Sequence, residues 1–229
     1  TKAGEKGKAY PVLYLLDGDS FFHSVVGFTR FFSSSKTSNL PPCIVVAVLN
    51  TDRTRDFTPT CSAARRDGTI CPYDKPAGGG AELRLEVENK VPANGTNFLV
   101  GHSYAGLFTL QTLSNHPESF DSYIAIDPSL WWDRGVFLQQ AAKNVYQKDF
   151  SSKHLYVAFA TRQRPAIKLI QFSLADSLKN KIIPEMKNKH LHVIYKKFPD
   201  EVHGTIALPA IFDGLKSLFH STISTKEAT

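Results

Sequence analysis

Six short apolar runs separated by longer amphipathic stretches limit this chain more than any other feature. The runs fall at 11–17, 43–50, 97–102, 123–127, 154–160 and 191–198. Val12-Leu13-Tyr14-Leu15-Leu16 and Ile44-Val45-Val46-Ala47-Val48-Leu49 are apolar at consecutive positions, so both faces of each strand need cover. Strands of that kind belong in a parallel sheet between two helical layers. Between them, Leu208, Ile211, Phe212, Leu215 and Phe219 recur at the 3.6-residue period and predict a final helix with one apolar face. Ile167, Ile170, Leu174 and Leu178 predict an earlier helix in the same way, with Pro165 near its start, where a missing N–H costs nothing. Leu107, Leu110 and Leu113 mark another. The irregular stretch 51–80, rich in Asp, Arg, Pro and Gly, has the length of a functional loop.

Composition narrows the partners. The 229 residues suit one domain with a full core, expected over 1–229. No run reaches the ~18–20 apolar residues of a membrane span, so none is expected. The formal net charge is +6, but the basic residues are dispersed. Lys187, Lys189, Lys196 and Lys197 lack the interleaved aromatic residues of a stacking platform, so they predict a solvated face rather than a nucleic-acid groove. Thr1 to Lys8 are polar and lysine-rich, unlike the apolar heart of a signal peptide. Of three cysteines, Cys43 opens an apolar run and is expected as a buried thiol. Cys61 and Cys71 bracket a polar loop, a spacing that permits a disulfide without requiring one. That bond would imply an oxidising compartment, periplasmic or secreted rather than cytoplasmic. No second pair of Cys or His completes a metal site, so no metal is expected. His190 and His192 are read as structural.

The chemistry-bearing segment is Gly101-His102-Ser103-Tyr104-Ala105-Gly106, between a strand pattern and a helical one. A serine held in a strand–turn–helix needs small neighbours two residues away on each side, and Gly101 and Ala105 supply them, Ala standing where glycine is more usual. The turn also sets Ser103 at a helix N-terminus, where backbone N–H groups favour developing negative charge. Downstream, His203 lies in the loop after the last strand, in the chain order that a nucleophilic serine and its base follow in this kind of fold. The first strand ends in Asp17-Gly18-Asp19. The Asp19 and Tyr104 amides are the expected oxyanion donors, with a plain Asp-Gly turn as the alternative reading of the first.

The chain resembles the esterase family of the α/β-hydrolase superfamily that includes enterochelin- and bacillibactin-type siderophore esterases. The resemblance rests on Tyr10 to Gly18, on Asn50, Arg53-Thr54-Arg55-Asp56 and Thr58-Pro59, on Gly78-Gly79-Gly80-Ala81, on Gly101-His102-Ser103, on Pro128-Ser129-Leu130-Trp131-Trp132 and on His203-Gly204. It implies an α/β-hydrolase fold and a carboxylic-ester hydrolase acting through an acyl-enzyme on a small-molecule ester, with no cofactor. It also implies a pocket around Arg53, Arg55, Trp131 and Trp132. The loop after strand 154–160 should hold the third catalytic residue, yet Thr161-Arg162-Gln163-Arg164-Pro165 contains no carboxylate. Asp127, or Asp200 or Glu201, or a Ser–His dyad without an acid are the alternatives. Against relatives, a helix at 80–90 and the 161–165 connection are short, and N-terminal strands and some loops are expected to be missing, with the acid in one of them as a further alternative. An acyltransferase and a non-catalytic binding module are the competing functions. Oligomeric state is left open.

Overall fold

The computed structural model describes residues 10–34, 40–60, 96–162 and 165–226, with the side chains of 165–169 and 220–226 left aside. Cys61, Cys71, the glycine turn at 78–81 and the 80–90 helix lie outside these residues. Among them the chain runs β1 (Val12–Leu16), α1 (Gly18–Ser34), β2 (Ile44–Val48), α2 (Arg53–Phe57), β3 (Asn97–His102) and α3 (Tyr104–Asn115). It continues through β4 (Ser122–Ile126), α4 (Val136–Asn144), β5 (His154–Ala160), α5 (Pro165–Ser177), α6 (Ile183–Asn188), β6 (His192–Phe198) and α7 (Ala207–Lys226). Each expected strand is present within a residue or two of its apolar run.

The six strands form one sheet in the order β2-β1-β3-β4-β5-β6, every neighbouring pair parallel. Successive side chains of a strand point to opposite faces, and both faces of the inner strands β1, β3, β4 and β5 are buried. The edge strands are only partly covered, with Ile44 of β2 and the following Leu49 exposed, contrary to the expectation for that run. Val12, Tyr14 and Leu16 enter one core with Leu107 and Leu110 of α3, Phe137 of α4 and Ala175 of α5. Leu13 and Leu15 enter a second core with Val25 of α1 and Ile211, Leu215 and Leu218 of α7. This is the sheet between two helical layers that the consecutive apolar residues demanded.

Two helix faces are rotated from expectation. In α7 the buried stripe is Ala210, Ile211, Leu215, Leu218 and Phe219, whereas Leu208 is exposed and Phe212 packs its ring against Phe28 and Phe32 of α1. In α5 Ile170 is exposed, and the inward positions are Gln171, Ala175 and, just beyond the helix, Leu178. Leu174 packs against the core and Leu178 lies in it as expected, the side chain of Ile167 is outside the described residues, and the expectation fails at Ile170, where the neighbouring Gln171 takes the inward position. Cys43 is a free thiol of intermediate exposure rather than fully buried, and burial still pushes it up to about 11. Among the described residues no helix is long and apolar enough to cross a membrane.

Strand order determines where a ligand could sit. After β1 the chain crosses to β2 on one side, and after β3 it crosses to β4 on the other. Between β1 and β3 the winding direction reverses. A parallel sheet opens a crevice at the carboxyl ends of its strands at such a point.

Candidate active site

Ser103 stands at the carboxyl end of β3, beside that crevice. Its backbone has φ 63° and ψ −117°, a conformation costly for a residue with a Cβ, of the kind held at functional turns. Two glycines make the turn possible. A Cβ on Gly101 would lie 2.3 Å from the Ala105 carbonyl oxygen, and one on Gly106 2.9 Å from the Ile126 carbonyl oxygen. The position between them, Ala105, accommodates its methyl while fully buried. The strict glycine requirement therefore falls at 101 and 106, and alanine at 105 is sterically sound. The turn is pinned by the Ser103 N–H to the Ile126 carbonyl at 2.9 Å. Although Ser103 is the N-cap residue of α3, its hydroxyl makes no capping bond.

That hydroxyl instead lies 3.0 Å from His203 Nε2, across a separation of 100 residues. The opposite ring nitrogen, Nδ1, is 2.6 Å from Asp127 Oδ2. Asp127 follows β4, has φ 39° and is wholly buried. Its N–H is fixed to the Ala158 carbonyl of β5 at 2.7 Å. Of the acids weighed from the sequence, Asp127 is the one that meets His203. Asp200 is exposed, and the Glu201 backbone is tied to Arg162 and Phe198. Ionised, Asp127 can only accept, so the proton on His203 sits at Nδ1 and Nε2 is left to accept from Ser103.

His102 links the turn to the His203 loop. Its Nε2 lies 2.8 Å from the His203 carbonyl oxygen, and the two rings are 4.7 Å apart. Burial, then the nearby His203, lowers its pKa to about 4, so it is neutral near pH 7 and donates through Nε2–H.

The expected oxyanion donors belong to two helix N-termini on adjacent strands. Tyr104 opens α3, and Asp19 is the second residue of α1, which begins directly after Asp17 at φ 53°. Here the Asp-Gly step starts a helix instead of forming a free turn.

Arg53 closes this side. Its Nε and Nη2 donate to the two carboxylate oxygens of Asp17 at 2.7 and 2.9 Å, and Nη2 also approaches the His102 carbonyl at 3.3 Å. Asn50 donates to Asp17 at 2.7 Å. The guanidinium carbon is 5.2 Å from the Tyr104 ring centroid. Arg55 points elsewhere, its Nε on Asp56 at 2.8 Å and its Nη2 on Thr51 at 2.7 Å, which makes it a brace of its own loop. Trp132 is buried, with its indole N–H on the Thr60 carbonyl at 3.0 Å, while Trp131 is half-buried beside Tyr104 at 5.9 Å between rings.

Two residues at the site had no role in the sequence reading. Ser129 Oγ lies 3.2 Å from Ser103 Oγ. Buried Gln171 donates to the Pro128 carbonyl at 3.1 Å and reaches 3.5 Å from Asp127 Oδ1. A polar residue at a core-facing helix position is the signal that would have flagged Gln171. Among the described residues no cluster of three or more His, Cys, Asp or Glu side chains could hold a metal.

Comparison with known proteins settles the family. The model of the Esterase family ("Putative esterase") matches residues 3–171. The chain belongs to that family. It is thus a carboxylic-ester hydrolase by kinship. This esterase is 29% identical to the siderophore enterobactin esterase of Emericella nidulans, over 95% of this chain and 84% of that one. It is 33% identical to the ferri-bacillibactin esterase BesA of Bacillus subtilis, over 57% of this chain and 52% of that one, so it spans about half of that relative's length. Among solved structures it resembles the IroE-like serine hydrolase from Shewanella oneidensis, with a TM-score of 0.78 and 30% identity, covering 93% of this chain and 71% of that one.

Proposed function

We propose that this esterase hydrolyses ester bonds of small siderophore-type molecules through an acyl-enzyme on Ser103, with His203 as base and Asp127 as the orienting acid. The observation that carries the reading is the hydrogen-bonded chain Ser103–His203–Asp127, at 3.0 and 2.6 Å. Ser103 Oγ attacks the ester carbonyl as its proton passes to His203 Nε2. The Asp19 and Tyr104 amides receive the charge on the carbonyl oxygen. His203 then protonates the departing alcohol, and the same imidazole takes a proton from water for the second half-reaction. Asp127 holds the ring in the required tautomer and balances the imidazolium.

The substrate class is supported by the siderophore esterases among the relatives and by the packed aromatic pair of Trp131 and Tyr104, the residue that follows Ser103. Steady-state hydrolysis of a siderophore trilactone and of p-nitrophenyl acyl esters, with fluorophosphonate labelling, tests the proposal. Ser103→Ala is expected to abolish labelling and lower kcat on the order of 10⁴-fold or more, and Asp127→Asn to lower it up to ~10⁴-fold through the wrong imidazole tautomer. Full activity in Asp127→Asn would leave a dyad, and labelling that survives Ser103→Ala would remove the nucleophile.

A further inference from the structure

We propose that Ser129 is a fourth member of the hydrogen-bonded chain, a hydroxyl that donates to Ser103 Oγ and tightens its hold as the nucleophile loses its proton. The inference rests on reading Ser103 and His203 as nucleophile and base.

Proton counting fixes the direction. The two hydroxyl oxygens are 3.2 Å apart, and distance alone lets either donate. Each serine carries one O–H proton. Asp127 occupies Nδ1 of His203, so Nε2 accepts and the single Ser103 proton is committed to it. The Ser103–Ser129 contact is then a hydrogen bond only if Ser129 is the donor. Ser129 has every reason to make it. The residue is 1% exposed, and Ser103 Oγ is the partner of its hydroxyl among the described residues. A buried hydroxyl deprived of a partner is destabilising.

The backbone is built to hold this contact. The Ser129 N–H donates to the Ser103 carbonyl at 3.1 Å, so the two serines are joined through main chain as well as side chain. One residue earlier, the Pro128 carbonyl accepts from buried Gln171 at 3.1 Å. The three-residue segment 127–129 thus touches both ends of the catalytic pair, with its acid on the imidazole and its hydroxyl on the nucleophile. Gln171 secures it from below.

This bond changes strength during the reaction. In the resting enzyme it is a neutral O–H···O contact. As His203 withdraws the proton and charge gathers on Ser103 Oγ, it becomes charge-assisted, roughly twice as strong. Once Oγ is part of the acyl ester it is a poorer acceptor, and the bond regains strength when Oγ departs in deacylation. An interaction stronger at the transition state than in either flanking state raises kcat and leaves ground-state binding alone. No atom is transferred to or from Ser129.

The test compares wild type, Ser129→Ala and the near-isosteric Ser129→Cys, which keeps a weaker S–H donor. The second-order rate of fluorophosphonate labelling is measured together with kcat and KM on a p-nitrophenyl ester, and thermal melting verifies the fold. Labelling and kcat are expected to fall about tenfold in Ser129→Ala, the scale of one charge-assisted bond, with KM within twofold and Ser129→Cys in between. Rates in Ser129→Ala within twofold of wild type overturn the proposal, as does a raised KM at unchanged kcat, or a cysteine variant no faster than alanine. Ser103→Ala in parallel separates the two readings, because labelling that persists there refutes the nucleophile itself and not the role of Ser129.

Discussion

Replacing Arg53 decides whether its guanidinium serves the protein or the substrate. The family resemblance implies a place for Arg53 in the substrate pocket, where a guanidinium could clamp an anionic group. In the structure its Nε and Nη2 hold both oxygens of the buried Asp17, and Nη2 also approaches the carbonyl of His102. Asp17 has positive φ and launches the helix that carries Asp19, so Arg53 ties the start of that helix, the proposed oxyanion segment, to the Ser103 turn. Lysine keeps the charge but loses the planar fork. If the arginine acts through Asp17, Arg53→Lys lowers kcat roughly tenfold even on a neutral short-chain ester, because two oxyanion donors out of register cost transition-state binding. If it is an anion receptor, the neutral ester is cleaved at the wild-type rate and KM rises on anionic substrates alone. Steady-state kinetics on a neutral and an anionic ester separate the two. Asp127 is the contrasting residue. The sequence leaves it among several candidates because 76 residues separate it from His203, and that distance is closed only by the pairing of β4 with β5 and of β5 with β6.

Elements reveal a similar division between what sequence spacing states and what packing adds. The inner strands were legible because burial on both faces writes itself as uninterrupted apolar residues, but the equally apolar β2 lies at the sheet edge with Ile44 exposed. The helix faces were less so, since Gln171 turns a polar side chain inward and Leu208 an apolar one outward. The nucleophile turn was legible from its small residues, but spacing could not say which of them are obligatory. Packing assigns that burden to Gly101 and Gly106. In α1, by contrast, Gly27 is exposed and a Cβ there would meet nothing within 4 Å. Gly27→Ala is therefore expected to stabilise by about 0.5–1 kcal/mol, the helix-propensity gain. Gly106→Ala must displace the backbone at Ile126 and Pro128, next to Asp127 and Ser129, which bond His203 and Ser103. It is expected to lower both Tm and kcat. Thermal melts of the two single variants check the pair, and a Gly27→Ala protein that melts below wild type would contradict the open space around that helix.

At the scale of the whole molecule, one half-buried and one buried histidine at opposite ends of the sheet make stability depend on pH. His102 lies at the carboxyl end of β3 and His154 at the amino end of β5, and burial lowers the pKa of both. His102 faces His203, Arg53 and Asp127, and its ring also meets Phe21 of α1. Burial is the largest influence, the His203 ring and the Arg53 guanidinium oppose a charge on it as burial does, and the hydrogen bond to the His203 carbonyl and the Asp127 carboxylate favour one. A histidine whose folded pKa is depressed resists protonation, so the unfolded chain binds more protons as the medium turns acid. Its stabilising effect is complete above the unfolded value of 6.5 and is lost as pH falls toward the folded value of about 4, below which the loss levels off. At about 1.4 kcal/mol per unit, that interval corresponds to a contribution on the order of 3 kcal/mol. His102→Gln places an amide donor near the same reach but cannot titrate. Urea midpoints measured from pH 7 down to pH 4 are expected to fall more steeply for wild type than for His102→Gln, the two curves converging toward acid. Parallel curves would mean that His102 is already charged or solvated near neutrality, and the neutral Nε2–H that holds the His203 loop would have to be abandoned.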